Sequence, residues 1–67
     1  MRVESFKTFE DAMERIRDLA PELNARPEKE YDSEDPNADA EGNAWVIGVF
    51  SSPDAEKLYL CTDGSIR

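Results

Sequence analysis

Ala44-Trp45-Val46-Ile47-Gly48-Val49-Phe50-Ser51 is the stretch on which the architecture of this chain turns. It is β-branched and aromatic, and long enough for a central strand. Side chains alternate across a strand, so Trp45, Ile47 and Val49 project to one face, while Val46 and Phe50 project to the other. Both faces are apolar, and both need cover.

Downstream, Lys57 to Thr62 reads as the next strand, with Leu58 and Leu60 alternating with Tyr59 and Cys61. The link Ser52-Pro53-Asp54-Ala55-Glu56 has turn chemistry and predicts an antiparallel hairpin. Asp63-Gly64 is a type I′ turn signal, after which Ser65-Ile66-Arg67 can begin a short final strand.

Upstream, Met1 to Phe6 alternates weakly and reads as a short first strand. Thr8 is a good N-cap with Asp11 in the capping-box position, and Glu10 and Asp11 suit the positive end of a helix. Phe9, Ala12, Met13, Ile16, Leu19 and Ala20 recur at helical spacing and predict a helix from Phe9 to Ala20. Asp11 and Arg15 are spaced as an internal ion pair. Pro21 stops the helix or opens a further turn.

Residues 27–43 differ in composition: seven carboxylates, one lysine, two prolines and a glycine, with Tyr31 as the single large apolar residue. The expectation is mainly an extended loop, with a strand no longer than about Glu30 to Ser33, since such a segment buries too little to order itself unaided. The chain thus reads as one α+β domain over residues 1–67. One helix packs on a small antiparallel sheet, in the order β-α-(long acidic loop)-β-β. A single helix covers one sheet face. For Val46, Phe50 and Tyr59 on the other, the candidate covers are the long loop through Tyr31, a dimer contact or a partner surface.

Sixteen Asp and Glu against eight Lys and Arg give a net charge of −8. Nucleic acids and anionic membranes repel such a surface, whereas basic protein grooves attract it. No histidine and no Gly-rich phosphate loop is present, which removes the usual nucleophilic and phosphate-handling constellations, so the chain reads as a non-enzyme without a cofactor. Cys61 has no partner for an internal disulfide and lies in an apolar strand, where a small buried hydrophobe is expected. Trp45 is expected in the core. Asp35-x-Asn37-x-Asp39-x-Glu41-Gly42 spaces oxygen ligands as the first part of an EF-hand loop does, but Ala40 and Val46 stand where that loop needs glycine and a bidentate glutamate. No metal site is assigned. The lone cysteine and the lack of a signal-peptide core read as an unprocessed cytoplasmic protein.

The net charge over residues 27–43 is −7 + 1 = −6, so most of the chain's excess sits there. Glu10, Glu14 and Asp18 add a fourfold-spaced acidic row along the helix. The candidate partner-binding residues are therefore Glu10, Glu14, Asp18, Glu28, Glu30, Asp32, Glu34, Asp35, Asp39 and Glu41. In small size, concentrated negative charge and a minimal α+β core, the chain resembles the DNA-mimic inhibitors encoded by phages and mobile elements, the anti-CRISPR kind above all. The resemblance is one of character over the whole chain, because that class shares no motif. It implies carboxylates standing in for phosphates in the basic duplex-binding or PAM-binding channel of a CRISPR effector complex, with no direct nucleic-acid or membrane contact. Two other readings fit the same composition: a small acidic housekeeping or halophile adaptor or dimerisation domain, and a calcium-binding module.

Overall fold

The computed structural model describes residues 2–50 and 56–67. They form β1 (Ser5–Phe6), α1 (Phe9–Arg17), β2 (Asn24–Tyr31), β3 (Asn43–Phe50) and β4 (Leu58–Tyr59). The apolar stretch from Ala44 to Phe50 lies in β3, the centre of the sheet. On one side β2 pairs with it antiparallel from Asn24↔Phe50 to Tyr31↔Asn43. On the other side lie β1, through Ser5↔Val46 and Phe6↔Trp45, and β4, through Gly48↔Tyr59 and Val49↔Leu58, both antiparallel. Single bridges join Val3 to Cys61 and Leu60 to Ile66. The fold is a small α+β domain, one helix on a four-strand antiparallel sheet, in the order β-α-β-β-β. The expected link between β3 and β4 falls, apart from Glu56, outside the described residues.

The main correction concerns residues 27–43, the expected loop. Its first part belongs to an eight-residue strand, β2. Charged residues and Pro27 depress intrinsic β propensity, but a full-length partner in β3 overrides that preference. Two bonds show why the proline is tolerated. Asp32 N donates to Gly42 O at 2.8 Å, and Leu60 N donates to Ile47 O at 3.1 Å. Together they direct the backbone groups of even-numbered β2 residues toward β3 and those of odd-numbered residues toward the open edge. Pro27 therefore removes no ladder bond.

Thr8 caps α1 as expected, its hydroxyl accepting from Asp11 N at 3.1 Å. The helix ends at Arg17, short of Ala20. Pro21 has no N–H for the Arg17 carbonyl, and its ring disfavours a helical Ala20. The last turn tightens instead, with Asp18 N bonding Arg15 O and Leu19 N bonding Ile16 O.

Ala12, Ile47, Val49 and Leu60 form the buried cluster, with Phe6, Ile16, Leu19, Leu23, Ala25, Trp45 and Ile66 packed around it. Ala12 is the one buried residue of the helix, and its small side chain lets α1 lie close to the sheet. Phe9 is pushed to the flank, 46% exposed, with its ring edge-on to Trp45 at 5.4 Å. The second face is closed too: Ala44, Val46 and Cys61 are all buried. Tyr31 does not close it. Register puts Tyr31 on the helix side, 70% exposed, lying against Gly42. Gly42 has φ +84° and no room for a Cβ beside that ring. The turn after Cys61 also differs from the type I′ form, since Gly64 alone takes positive φ while Gly64 N bonds Cys61 O. That is a type I turn followed by a left-handed glycine. No described helix is long and apolar enough to cross a membrane.

Ile47 and Leu60 are the largest fully buried side chains. Ile47→Ala and Leu60→Ala should each lose about 2–5 kcal/mol in urea melts, enough to unfold much of a domain this small. Met13→Ala, at a half-buried position, should lose less. A native-like midpoint for either core variant would contradict this packing.

Candidate functional site

Residues 32–42, between β2 and β3, carry the densest charge, and they are ordered by their own aspartates. Asp32 accepts from Glu34 N at 3.1 Å, Asp35 from Asn37 N at 2.8 Å, and Asp39 from Glu41 N at 2.8 Å and Asn43 N at 3.0 Å. Each is an aspartate turn that satisfies backbone donors locally. The bonds from Asn43 and then Glu41 hold the Asp39 carboxyl below its ordinary pKa.

A polar latch ties this segment to β1. The Ser5 hydroxyl donates to Asp35 Oδ1 at 2.9 Å, and the Asn37 amide donates to the Ser5 carbonyl at 3.1 Å and to its hydroxyl oxygen at 2.9 Å. The segment thereby folds across the end of the sheet and helps to close the face that α1 leaves bare. There Ala44 and Val46 lie in a depression of about 230 Å³ bordered by Arg2, Val3, Glu30, Asp32 and Asp35.

The candidate acidic residues thus divide into groups. Glu30, Asp32 and Asp35 meet around one depression on the outer sheet face. Glu34, Asp39 and Glu41 continue the exposed acidic surface along the connection. Glu14 and Asp18 line a groove of about 410 Å³ that also includes Asp11, Arg15 and Asn37, so the helix row and the connection share a border. Glu10 borders a separate hollow with Phe9, Met13 and Arg17, which Glu14 also lines.

Glu28 is not part of the free acidic surface. Lys57 Nζ lies 2.9 Å from its Oε1 and 2.7 Å from its Oε2, an ion pair laid over Gly48, where a Cβ would meet the Glu28 carboxylate at 2.9 Å. The bond to Glu28, with Tyr59 second, raises the Lys57 pKa. Arg15 also differs from expectation: its partner is Glu4, Nε to Oε1 at 3.0 Å, rather than Asp11.

The EF-hand-like spacing does not form a cage. Asp35 and Asn37 are turned toward Ser5, and Asp39 toward backbone N–H groups. Among the described residues no group of three or more acidic or cysteine side chains is placed to hold a metal ion. Ser5, Asn37, Asp11 and Arg2 were missed as site residues. The spacing of Asp before backbone N–H groups two residues on signals the turns, but no local pattern signals a latch to β1. No protein-family model, curated protein or solved structure matches the chain.

Removing the latch should loosen the acidic segment without unfolding the sheet. Asn37→Ala deletes two hydrogen bonds to Ser5, and native-state cleavage by a glutamyl endopeptidase within 32–42 should rise about fivefold or more. Lys7→Ala should leave the rate unchanged, and equal rates in both variants would remove the latch from the account. A depressed carboxyl stabilises the fold above its unfolded pKa, and that contribution is lost as pH falls through the folded value. The Asn43 amide resonance should therefore move on acidification with a midpoint below the ordinary aspartate value of about 3.9. A midpoint at or above that value would contradict the Asp39 contacts.

Proposed function

We propose that this chain is a protein-binding inhibitor that imitates nucleic acid and occupies a basic nucleic-acid-binding surface of its partner. The observation that carries this reading is the stretch from Glu30 to Glu41, with six carboxylates and no cation, held in one conformation by the aspartate turns and the Ser5 latch. A fixed array of charge loses little conformational entropy on binding, which a floppy acidic tail would lose in full. Glu30 and Asp32 share one face of an extended backbone at about 7 Å spacing, comparable with successive phosphates along a nucleic-acid strand. Partner lysines and arginines that would pair with phosphates pair instead with carboxylates.

Blocking is competitive, and no chemistry is required of the inhibitor. Each exposed ion pair contributes only about 0–1 kcal/mol, so affinity depends on many pairs engaging together. A CRISPR effector, whose channel for duplex or PAM is positively charged, is a partner of the fitting kind.

Charge reversal separates this reading from acidity that serves solubility alone. Asp35 and Asp39 hold the fold, so the informative positions are Glu30, Glu34 and Glu41, which make no ion pair among the described residues. Glu30→Lys/Glu34→Lys/Glu41→Lys moves net charge by three times two, from −8 to −2. Melting should stay near wild type, since exposed substitutions change stability by about ±0.5 kcal/mol each. Wild type should capture nucleic-acid-binding complexes from a host lysate at low salt and displace duplex DNA from them, and the folded triple variant should do neither. Equal displacement by the variant would end the mimicry reading.

A further inference from the structure

Strand β2 is a terminal strand of the sheet, and its outer edge is blocked along only part of its length. Odd-numbered residues direct their backbone groups away from β3, as the Asp32–Gly42 and Leu60–Ile47 bonds establish. Pro27 has no N–H, and Ala25 N is taken by Leu23 O at 2.9 Å, so neither residue offers an incoming strand a donor. Lys29 and Tyr31 differ. Each presents an N–H and a C=O in normal alternation, and among the described residues no hydrogen bond is made to these groups. Their side chains lean back toward β3, the Lys29 ammonium 5.7 Å over the Trp45 ring and the Tyr31 ring against Gly42, which leaves the backbone edge bare. The connection does not cover it either. The Ser5 latch draws Asp35 and Asn37 across the outer sheet face toward β1, on the far side of β3.

An edge of this kind accepts a further strand by main-chain hydrogen bonds, and the side chains beside it decide which strand. Antiparallel pairing makes Lys29 and Tyr31 hydrogen-bonded positions. Glu30, exposed on the outer face between them, then takes the non-hydrogen-bonded position, where facing side chains lie closest. Register argues against a second copy. Where Lys29 meets Lys29, Lys29 meets Tyr31 or Tyr31 meets Tyr31, Glu30 faces Glu28, Glu30 or Asp32 of the second copy respectively, and like charges directly opposite are destabilising. A lysine or arginine in that position reverses the sign. It meets Glu30 across the pair and Asp32 on the diagonal, and neither carboxylate makes an ion pair among the described residues.

We infer that the Lys29–Tyr31 edge is a strand-addition site for an extended segment of the partner, antiparallel to β2, with a basic residue opposite Glu30. This rests on the proposed protein-binding function and names the form in which the partner's basic surface is engaged. The acidic connection attracts that surface, and the edge fixes one segment of it in register.

Capped peptides that alternate lysine with valine test the site by titration into the ¹⁵N-labelled full chain. With lysine opposite Glu30, the valine amides point at β2 and the lysine amides point away. At saturation the plain peptide should shift the Lys29 and Tyr31 amide protons downfield and slow their exchange about tenfold or more. N-methylation of the valine amides should weaken binding about tenfold, whereas N-methylation of the lysine amides, at equal charge, should change it by less than about twofold. Equal affinities for the two methylated peptides would overturn strand addition, as would plain-peptide binding that leaves Lys29 and Tyr31 unprotected, or no binding at millimolar peptide. Protection of Lys29 and Tyr31 that grows with protein concentration in the absence of peptide would also overturn it, since the edge would then take a second copy. DNA displacement by wild type and its loss in the triple lysine variant judge the mimicry reading separately from these peptides.

Discussion

Strand β3 has no solvent face, and the rest of the molecule follows from the need to cover it twice. On one side Ile47 and Val49 meet Ala12 of α1 and Leu60 beside β4. On the other, Ala44 and Val46 are buried although the described residues include no second helix to bury them. Their cover is polar backbone and charged side chains, an arrangement that is stable only where those groups have partners. The Ser5–Asp35–Asn37 latch and the aspartate turns supply them. The most acidic part of the chain is thus a structural layer as well as a charged surface, and the same aspartates serve both purposes.

That double use shapes the functional argument. Asp32 and Asp39 accept backbone donors inside the connection and Asp35 accepts from the Ser5 hydroxyl of β1 as well, whereas Glu34 and Glu41, with Glu30 at the end of β2, are exposed. The aspartates set the position of the array, and the glutamates, with longer side chains, extend its reach toward a partner. Glu28 sits outside this division, since its charge is matched by Lys57 across Gly48. The negative surface is therefore directional. It is strongest at the end of the sheet where β2 passes into the connection, and weaker at the end where Arg26 lies over Phe50 and Lys57 over Tyr59.

Much of this fold was legible in the residues. The apolar alternation of 44–50, the Thr8 cap and the Ala12–Ile16 stripe follow local rules, and the structure keeps them. Strand β2 was hidden because its composition, Asn24-Ala25-Arg26-Pro27-Glu28-Lys29-Glu30-Tyr31, has little β propensity of its own. Pairing with β3 stabilises it, and pairing is a non-local property. The latch was hidden for the same reason, as Ser5 and Asp35 are separated by thirty positions in sequence. Of the acidic residues marked by charge density, those at the end of β2 do gather around one depression, while Glu10 and Glu28 do not join them. Charge density locates a surface. It does not say which carboxylates are already engaged.

The central claim is that residues 32–42 are an ordered layer of the fold and not a solvated acidic tail. Backbone ¹⁵N relaxation of the free protein at neutral pH tests it most directly, because order parameters separate rigid from flexible backbone residue by residue. Values near about 0.85 from Asp32 to Gly42, matching those of β3, are the predicted result, and values below about 0.6 across the segment would contradict it.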